Sequence, residues 1–191
     1  MFGYREIEFH KAAGIERFSR KGAIFLTGSI AGKNFVLIAT HLQGEEGPVF
    51  TESHQRVRDT QVGQIRDELL TPPPSAGVPI IIAGDFATPR LKAGSITEES
   101  QPYKDTLAKL QVRNGSEHRI TLNDERTVNT LAESNTGRTD ELDYILIRDN
   151  GANVHAIWER RIFRKSGWDK KQNRPDLSYR YAVAAMFEFP Q

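Results

Sequence analysis

One uninterrupted apolar run near the middle of the sequence, VPIIIAGDFATP, limits the folds that are open to this chain. Residues 78–83 show no polar alternation, which is typical of a strand that is buried on both faces of a sheet. Such a strand needs paired strands at its sides and packed layers above and below it. Gly84 and Asp85 end the run, so a carboxylate follows directly after the buried strand. The pattern predicts a domain built around a central sheet.

A hairpin is predicted upstream of this strand. Two β-rich runs, residues 23–30 and 34–41, flank a short turn at 31–33 that contains a glycine. This spacing is typical of a β-hairpin. The second run ends in Thr-His-Leu-Gln, so polar groups cluster at its carboxyl end.

The remaining segments predict two helices and further strands. Helical spacing after Ser53, the expected N-cap, indicates a helix that the TPPPSAG run stops, and YKDTLAKLQV indicates a second helix. The segments DELDYILIRD and NVHAIWERRIF predict strands joined by a turn at 149–151, and residues 181–189 predict the last strand. The first twenty residues lack a clear period, and residues 168–176 predict a polar loop. This layout of about six strands and two helices indicates a mixed α/β (α+β) fold.

Composition and charge set limits on the class of protein. The chain is 38% hydrophobic and 27% charged with a net charge of +1, which is typical of a single globular domain over residues 1–191. This charge gives no overall field that selects nucleic acid or membrane. The absence of cysteine excludes disulfides, thiolate metal sites and a cysteine nucleophile. No apolar run is long enough to span a bilayer, and the start MFGYREIEFHK lacks a signal-peptide pattern, so the compartment stays open.

Unusual polar residues stand at the ends of the predicted strands. They are His41, Asp85, Asp143 and the neighbours Tyr179 and Arg180. A strand that ends in a carboxylate or an imidazole holds that group on a rigid support, as a catalytic site requires. Aspartate is also a favoured turn residue, so Asp85 taken alone is equally consistent with a turn cap. Four such ends in one small domain favour a shared functional site.

Five segments, in their order along the chain, resemble the endonuclease/exonuclease/phosphatase superfamily of DNase I-like phosphodiesterases. They are THLQ, RVRDTQVGQI, IIIAGDFATP, ELDYILI and DLSYRYAVAAMFEF, within a match that runs from about Lys21 to the C-terminus. Within that superfamily the sequence is most similar to the bacterial neutral sphingomyelinase (sphingomyelin phosphodiesterase) branch. The resemblance implies a sandwich of two mixed β-sheets flanked by helices. It also implies the C-terminal two-thirds of such a domain, without its first strands.

The resemblance assigns roles to three of the strand-end residues. His41 would hydrogen-bond the scissile phosphate, Asp85 would orient or deprotonate the attacking water, and Asp143 would orient a catalytic histidine. These roles suit the groups, because a carboxylate accepts a proton from water and an imidazole donates to a phosphoryl oxygen. Mg²⁺, the cofactor that the resemblance implies, would neutralise the developing charge.

The sequence departs from the family pattern at three important positions. Ala87 stands where the family has an asparagine, Tyr179 where it has an aspartate, and Arg180 where it has the catalytic histidine. Arginine does not exchange protons near neutral pH, although Arg180 could pair with Asp143, and tyrosine is a poor Mg²⁺ ligand. The metal-binding glutamate of the family has no counterpart here, so no metal ligand is assigned. We therefore expect a divergent domain with weak or lost catalysis and without tight Mg²⁺ binding.

Two alternatives stay open at this point. In the first, the chain is a non-catalytic module that binds a phosphodiester, a phospholipid headgroup or a membrane surface. It would use His41 and Arg180, with Lys and Arg side chains of the basic segment described below, and Tyr179 is a further substrate-binding candidate. In the second, it is a working enzyme whose missing ligands come from a partner chain or from a rebuilt site. Secretion is consistent with the family resemblance.

The segment IWERRIFRKSGWDKKQNR interleaves aromatic and basic residues. We expect Trp158, Phe163 and Trp168 to contact a membrane surface, because aromatic rings favour the bilayer interface and cations favour anionic headgroups. Nucleic-acid binding is a less favoured alternative. The third alternative assigns no binding role: a solvated pair of strands whose aromatic rings pack inward. The expected loss of the first strands would expose sheet edges and an apolar face, which predicts self-association.

Overall fold

The computed structural model describes residues 3–45, 51–114, 141–162, 165–169, 174–176, 178 and 180–189, with the backbone alone at 157–162, 165–169 and 174–176. The helices within these residues are α1 (Glu52–Leu69), α2 (Gln101–Leu110) and a 3₁₀-helix over Gly14–Phe18. The strands are β1 (Tyr4–Glu8), β2 (Gly22–Ile30), β3 (Lys33–His41), β4 (Ile80–Asp85), β5 (Arg113–Asn114), β6 (Asp143–Arg148), β7 (His155–Ile162), β8 (Lys165–Asp169), β9 (Arg174–Asp176) and β10 (Ala182–Glu188).

A six-stranded mixed sheet in the order β1-β2-β3-β4-β6-β5 forms the centre of the described chain. β3 and β4 run parallel, whereas the other neighbouring strands are antiparallel. The predicted apolar run forms β4, which is paired on both sides. β7 pairs with β10 and β8 with β9 in two-stranded antiparallel sheets, and β10 contacts β6. This architecture confirms the predicted α/β fold class.

One face of the central sheet packs on the two helices and forms the core. Phe25, Ile38 and Ile82 lie side by side on this face, and each is at most 7% exposed. They belong to one apolar cluster with Ile65 of α1 and Leu110 of α2. Burying one such side chain stabilises the fold by about 1.5–3 kcal/mol relative to leaving it in water. In the described part of the chain, no helix is both long enough and apolar enough to cross a membrane.

The opposite face of the sheet, here called the open face, carries exposed apolar side chains. Tyr4, Ile24 and Leu26 lie on it, because Tyr4 is paired with Leu26 and Ile24 stands two residues before Leu26. Their exposures are 58%, 40% and 38%. An apolar face is therefore exposed, and the self-association that we infer from such a face stays a prediction.

The predicted hairpin forms with only small differences in its bounds. The turn has two residues rather than three, and Ala31 and Gly32 both have positive φ, +51° and +77°. Two positive φ values are the mark of the type I′ turn that suits the twist of paired strands. The first helix begins earlier than expected, because the side chain of Thr51, and not that of Ser53, caps it by accepting from the His54 N–H at 3.3 Å.

The structure differs from the expected elements in three places. The two strands and the turn at Asn150 and Gly151 are present, but three more residues follow the turn, and β7 enters another sheet instead of pairing with β6. The Asn150 side chain donates to the Ser75 and Val78 carbonyls at 2.7 and 3.0 Å, which ties this turn to the segment before β4. Residues 168–176, expected as a loop, include the end of β8 and all of β9. The first twenty residues, for which no element is predicted, contain β1.

Candidate functional site

Three predicted site residues lie in one row across the central sheet. Parallel pairing places His41 of β3 opposite Asp85 of β4, and antiparallel pairing places Asp85 opposite Asp143 of β6. Directly paired residues point to the same face of a sheet, so the three side chains share the open face at one end of their strands. His41 Nε2 lies 3.2 Å from Asp85 Oδ2. The sheet register thus brings together residues from three separate segments.

Gly84 lets β4 approach β3 closely at this end of the sheet. Its φ of +151° is one that residues with a side chain rarely adopt, and a Cβ there would lie 1.9 Å from the Thr40 carbonyl oxygen. The carbonyl of the next residue, Asp85, accepts from the Leu42 N–H at 2.8 Å. The glycine therefore sets the position of the Asp85 carboxylate relative to β3.

One oxygen of Asp85 caps the turn that follows β4. Oδ1 accepts a 2.8 Å hydrogen bond from the Ala87 N–H, an arrangement typical of aspartate in turns. Ala87 has a φ of +48°, in the left-handed region where asparagine is enriched over alanine. Asp85 therefore does cap the turn, as the alternative interpretation expected, but it does so with Oδ1 only. Its other oxygen, Oδ2, faces His41.

Arg180 contacts both carboxylates of the row. Its Nη1 lies 2.5 Å from Asp85 Oδ2 and 3.4 Å from each carboxylate oxygen of Asp143. The expected pairing with Asp143 is therefore present, and the shorter contact is with Asp85. The side chains of Arg180 and Asp85 are only 16% and 10% exposed, so water and salt screen their attraction weakly.

His41 is the more exposed partner of Asp85, with 53% of its side chain accessible to solvent. Partial burial lowers the pKa of His41 below its ordinary value of 6.5, and the nearby charges of Lys21 and Arg180 act in the same direction. The carboxylates of Asp85 and Glu16 oppose this shift without reversing it. At neutral pH the imidazole is therefore mainly neutral, so its Nε2 lies near Asp85 Oδ2 without forming an ion pair.

The segment after His41 is held by side chains from α1 and from the 3₁₀-helix. Gln61 Oε1 accepts from the Gln43 N–H at 2.8 Å, and Arg58 Nη1 donates to the Gln43 carbonyl at 3.1 Å. Glu16 Oε2 accepts from the Gly44 N–H at 2.8 Å. Sequence reasoning did not assign these side chains to the site. For Arg58 and Gln61 the signal was the polar pattern RVRDTQ on a helix that must bury one face, whereas no pattern indicated Glu16.

A buried ionic cluster lies beside this segment. Glu45 Oε1 lies 2.7 Å from Arg58 Nη1, and Glu45 Oε2 lies 2.8 Å from His54 Nδ1. The side chains of Arg58 and Glu45 are 1% and 6% exposed. Burial raises the pKa of Glu45, but hydrogen bonds from His54, Thr51 and Arg58 outweigh burial and leave the pKa below its ordinary value. Glu45 is therefore ionised at neutral pH and forms an ion pair with Arg58.

Four residues with predicted contacts are either outside the described residues or described by their backbone alone. Tyr179 and Phe163 are outside the described residues, and only the backbone is described at Trp158 in β7 and Trp168 in β8. Substrate binding by Tyr179 and membrane contact by the three aromatic residues therefore stay predictions.

The site does not fit the Mg²⁺ ion that the resemblance implies. Asp85 Oδ1 accepts from the Ala87 N–H, and Asp85 Oδ2 is in contact with Arg180 and His41. Mg²⁺ needs carboxylate oxygens that are open to it, in near-octahedral geometry. In the part of the chain that the structure describes, no group of three or more His, Asp or Glu side chains is placed to share a metal ion. The positive charge at this site comes from a guanidinium.

Comparison with known proteins finds no matching family model and no matching curated protein. Solved structures do match. The beta toxin of Staphylococcus aureus aligns with a TM-score of 0.74 and 24% identity, over 92% of this chain and 60% of that chain. Sphingomyelinase C from Streptomyces griseocarneus aligns with a TM-score of 0.72 and 20% identity, over 95% of this chain and 63% of that chain. A further structure of a beta toxin mutant from Staphylococcus aureus contains bound magnesium ions.

A third match comes from the wider superfamily. An endonuclease/exonuclease/phosphatase family protein from Leptotrichia buccalis aligns with a TM-score of 0.58 and 15% identity, over 98% of this chain and 61% of that chain. The chain thus spans between 60% and 63% of the length of these three solved structures. The TM-scores are higher for the beta toxin and for sphingomyelinase C than for the Leptotrichia protein. These likenesses show that the chain has the DNase I-like fold that its motifs implied.

Proposed function

We propose that this chain is a phosphodiesterase-family domain in which hydrolysis is weak or lost. One observation carries the proposal: Arg180 Nη1 lies 2.5 Å from Asp85 Oδ2. In the role that the resemblance implies, Asp85 orients the attacking water or takes its proton. A general base must present a lone pair to that water at hydrogen-bond distance. Here the oxygen that faces the site is already held by a guanidinium.

Two substitutions act in the same direction. Arg180 stands where the family has a histidine, and a guanidinium neither gives nor takes a proton near neutral pH. Ala87 stands where the family has an asparagine and offers no side-chain amide to a substrate phosphate. Loss of a single electrostatic stabiliser typically lowers kcat by a factor of about 10²–10³. Loss of several together should leave little hydrolysis.

The alternative of a phosphate-binding module receives less support from the charges at the site. Asp85 and Asp143 supply two negative charges, Arg180 supplies one positive charge, and His41 is mainly neutral at neutral pH. This cluster therefore carries a net negative charge, which disfavours a phosphate anion. An incoming phosphate would also compete with two carboxylates for Arg180.

The test follows two reactions of the chain, with Mg²⁺ and with EDTA. One is release of choline phosphate from sphingomyelin vesicles, and the other is cleavage of bis(p-nitrophenyl) phosphate. We expect no metal-dependent turnover above that of the Asp85→Ala variant. Asp105→Ala, at an exposed position of α2, is the matched control for removal of an aspartate far from the site.

Metal-dependent turnover that is lost in Asp85→Ala and kept in Asp105→Ala would contradict the proposal. It would favour a working enzyme with a rebuilt site. Saturable binding of phosphocholine without turnover, lost when Arg180 is replaced, would instead favour the binding module.

A further inference from the structure

Two carboxylates paired across a sheet repel each other unless a positive charge lies between them. Asp85 and Asp143 are directly paired across β4 and β6, and Arg180 Nη1 contacts both carboxylates. The Asp85 side chain is 10% exposed and the Asp143 side chain 23% exposed, so solvent alone does not separate their charges well. Arg180 therefore supplies a positive charge next to both carboxylates.

We propose that Arg180 occupies the position of a divalent cation at this end of the sheet and keeps such a cation out. The site is then independent of metal. The proposed function concerns the rate of hydrolysis, whereas this inference concerns which cation the two carboxylates hold. It shares with the proposed function only the contact between Arg180 and Asp85, and its readout is metal binding rather than turnover.

A competition between the two cations favours the guanidinium. Arg180 stands two residues before β10, so its backbone is held next to the site and its effective concentration there is high. Mg²⁺ gives up its bound water reluctantly and needs several open oxygen ligands. Asp85 Oδ1 is engaged by the Ala87 N–H, so the carboxylate oxygens left for a metal are Asp85 Oδ2 and those of Asp143, and Arg180 contacts all of them. Like-charge repulsion from Arg180 further disfavours a dication at this position.

The experiment measures Mg²⁺ binding by calorimetric titration and by thermal unfolding with and without about 10 mM MgCl₂. The wild-type chain should show no saturable binding and no shift in Tm that depends on Asp85. Arg180→Gln removes the charge and should gain weak, saturable Mg²⁺ binding that the wild type lacks. In that variant Mg²⁺ should raise Tm by roughly 3–5 °C.

Matched variants separate charge from other effects. Arg180→Lys keeps the positive charge and should behave as the wild type. Arg66→Gln removes a guanidinium that is bonded to Asp67 on the surface of α1, and it should gain no Mg²⁺ binding. Asp85→Asn combined with Arg180→Gln should lose the gained binding. Circular dichroism checks that each variant is folded, and Arg180→Met serves as the uncharged variant if Arg180→Gln does not fold.

Two outcomes would overturn the inference. The first is saturable Mg²⁺ binding by the wild-type chain that Asp85→Asn removes, a result that needs no Arg180 variant to fold. The second is a folded, uncharged Arg180 variant that still binds no Mg²⁺, since the guanidinium would then not be what excludes the metal. Gain of binding in the uncharged variant alone would support the inference, whether or not hydrolysis is found.

Discussion

Gly84 is the residue on which the position of the Asp85 carboxylate depends. It combines a φ of +151° with a place where a Cβ would lie 1.9 Å from the backbone of Thr40. Neither feature can be relieved by rotating a side chain. Any side chain at this position must therefore push β4 away from β3 and move Asp85 away from His41.

We predict that Gly84→Ala lowers the free energy of unfolding by at least about 2 kcal/mol, because backbone strain adds to overpacking. Urea unfolding measures this change. Gly63→Ala is the matched control: Gly63 lies within α1, and a Cβ there meets no atom within 4 Å. That variant should raise stability by about 0.5–1 kcal/mol, since glycine disfavours a helix interior. Similar effects of the two substitutions would contradict the assigned role of Gly84.

At the residue scale, the sequence indicated the row of His41, Asp85 and Asp143 but not the contacts that Arg180 makes with it. His41, Asp85 and Asp143 were predictable because each stands at the end of a strand, where a polar residue is conspicuous. The 2.5 Å contact of Arg180 with Asp85 was not, because it depends on how β10 sits beside β6, which no local pattern encodes. Glu45 and Arg58 were missed because their ion pair joins two segments that only the folded structure brings together.

Helix α1 is the element that holds the segment after His41. Its Arg58 and Gln61 bind the backbone of Gln43, and Arg58 also forms a buried ion pair with Glu45. The lowered pKa of Glu45 makes this ion pair dependent on pH. Because the pKa is lower in the folded chain, the pair contributes stability above the ordinary value of 4.5 and loses that contribution as the pH falls through the folded-state value.

We predict that Glu45→Gln lowers the free energy of unfolding at neutral pH by about 1–3 kcal/mol, since it leaves Arg58 buried without its ion pair. It should also flatten the loss of stability below pH 4.5. Urea unfolding as a function of pH measures both effects. Glu52→Gln, which removes an exposed ion pair with Arg56 on the same helix, should change little. An unchanged pH profile in Glu45→Gln would rule out this role.

Elements with strong local signals were predicted well, and those that depend on pairing were not. The hairpin of β2 and β3, strand β4 and both helices follow from turns, apolar runs and helical spacing. β1 was missed because YREIE is short and mostly charged, and it is stabilised by its pairing with β2. The turn between β6 and β7 was predicted, but the sheet that β7 enters was not, because a turn sequence does not determine where the next strand pairs.

At the scale of the whole molecule, the two faces of the central sheet carry different kinds of residue within the described part of the chain. The packed face holds the core, and the open face carries both the exposed apolar side chains and the row from His41 to Asp143. The fold class was predictable because a fully apolar strand requires a sheet with helices beside it.

A double-mutant cycle on Arg180 and Asp85 tests most directly whether a guanidinium holds the carboxylate of this site. Unfolding free energies are measured for the wild type, Arg180→Gln, Asp85→Asn and the double variant at neutral pH. Asp143 is present in all four proteins, so its contact with Arg180 does not mimic the coupling. We predict a favourable coupling energy of about 1–3 kcal/mol, as buried charged partners typically show. Effects that add to within about 0.5 kcal/mol would contradict the ion pair and, with it, the proposed loss of the catalytic base.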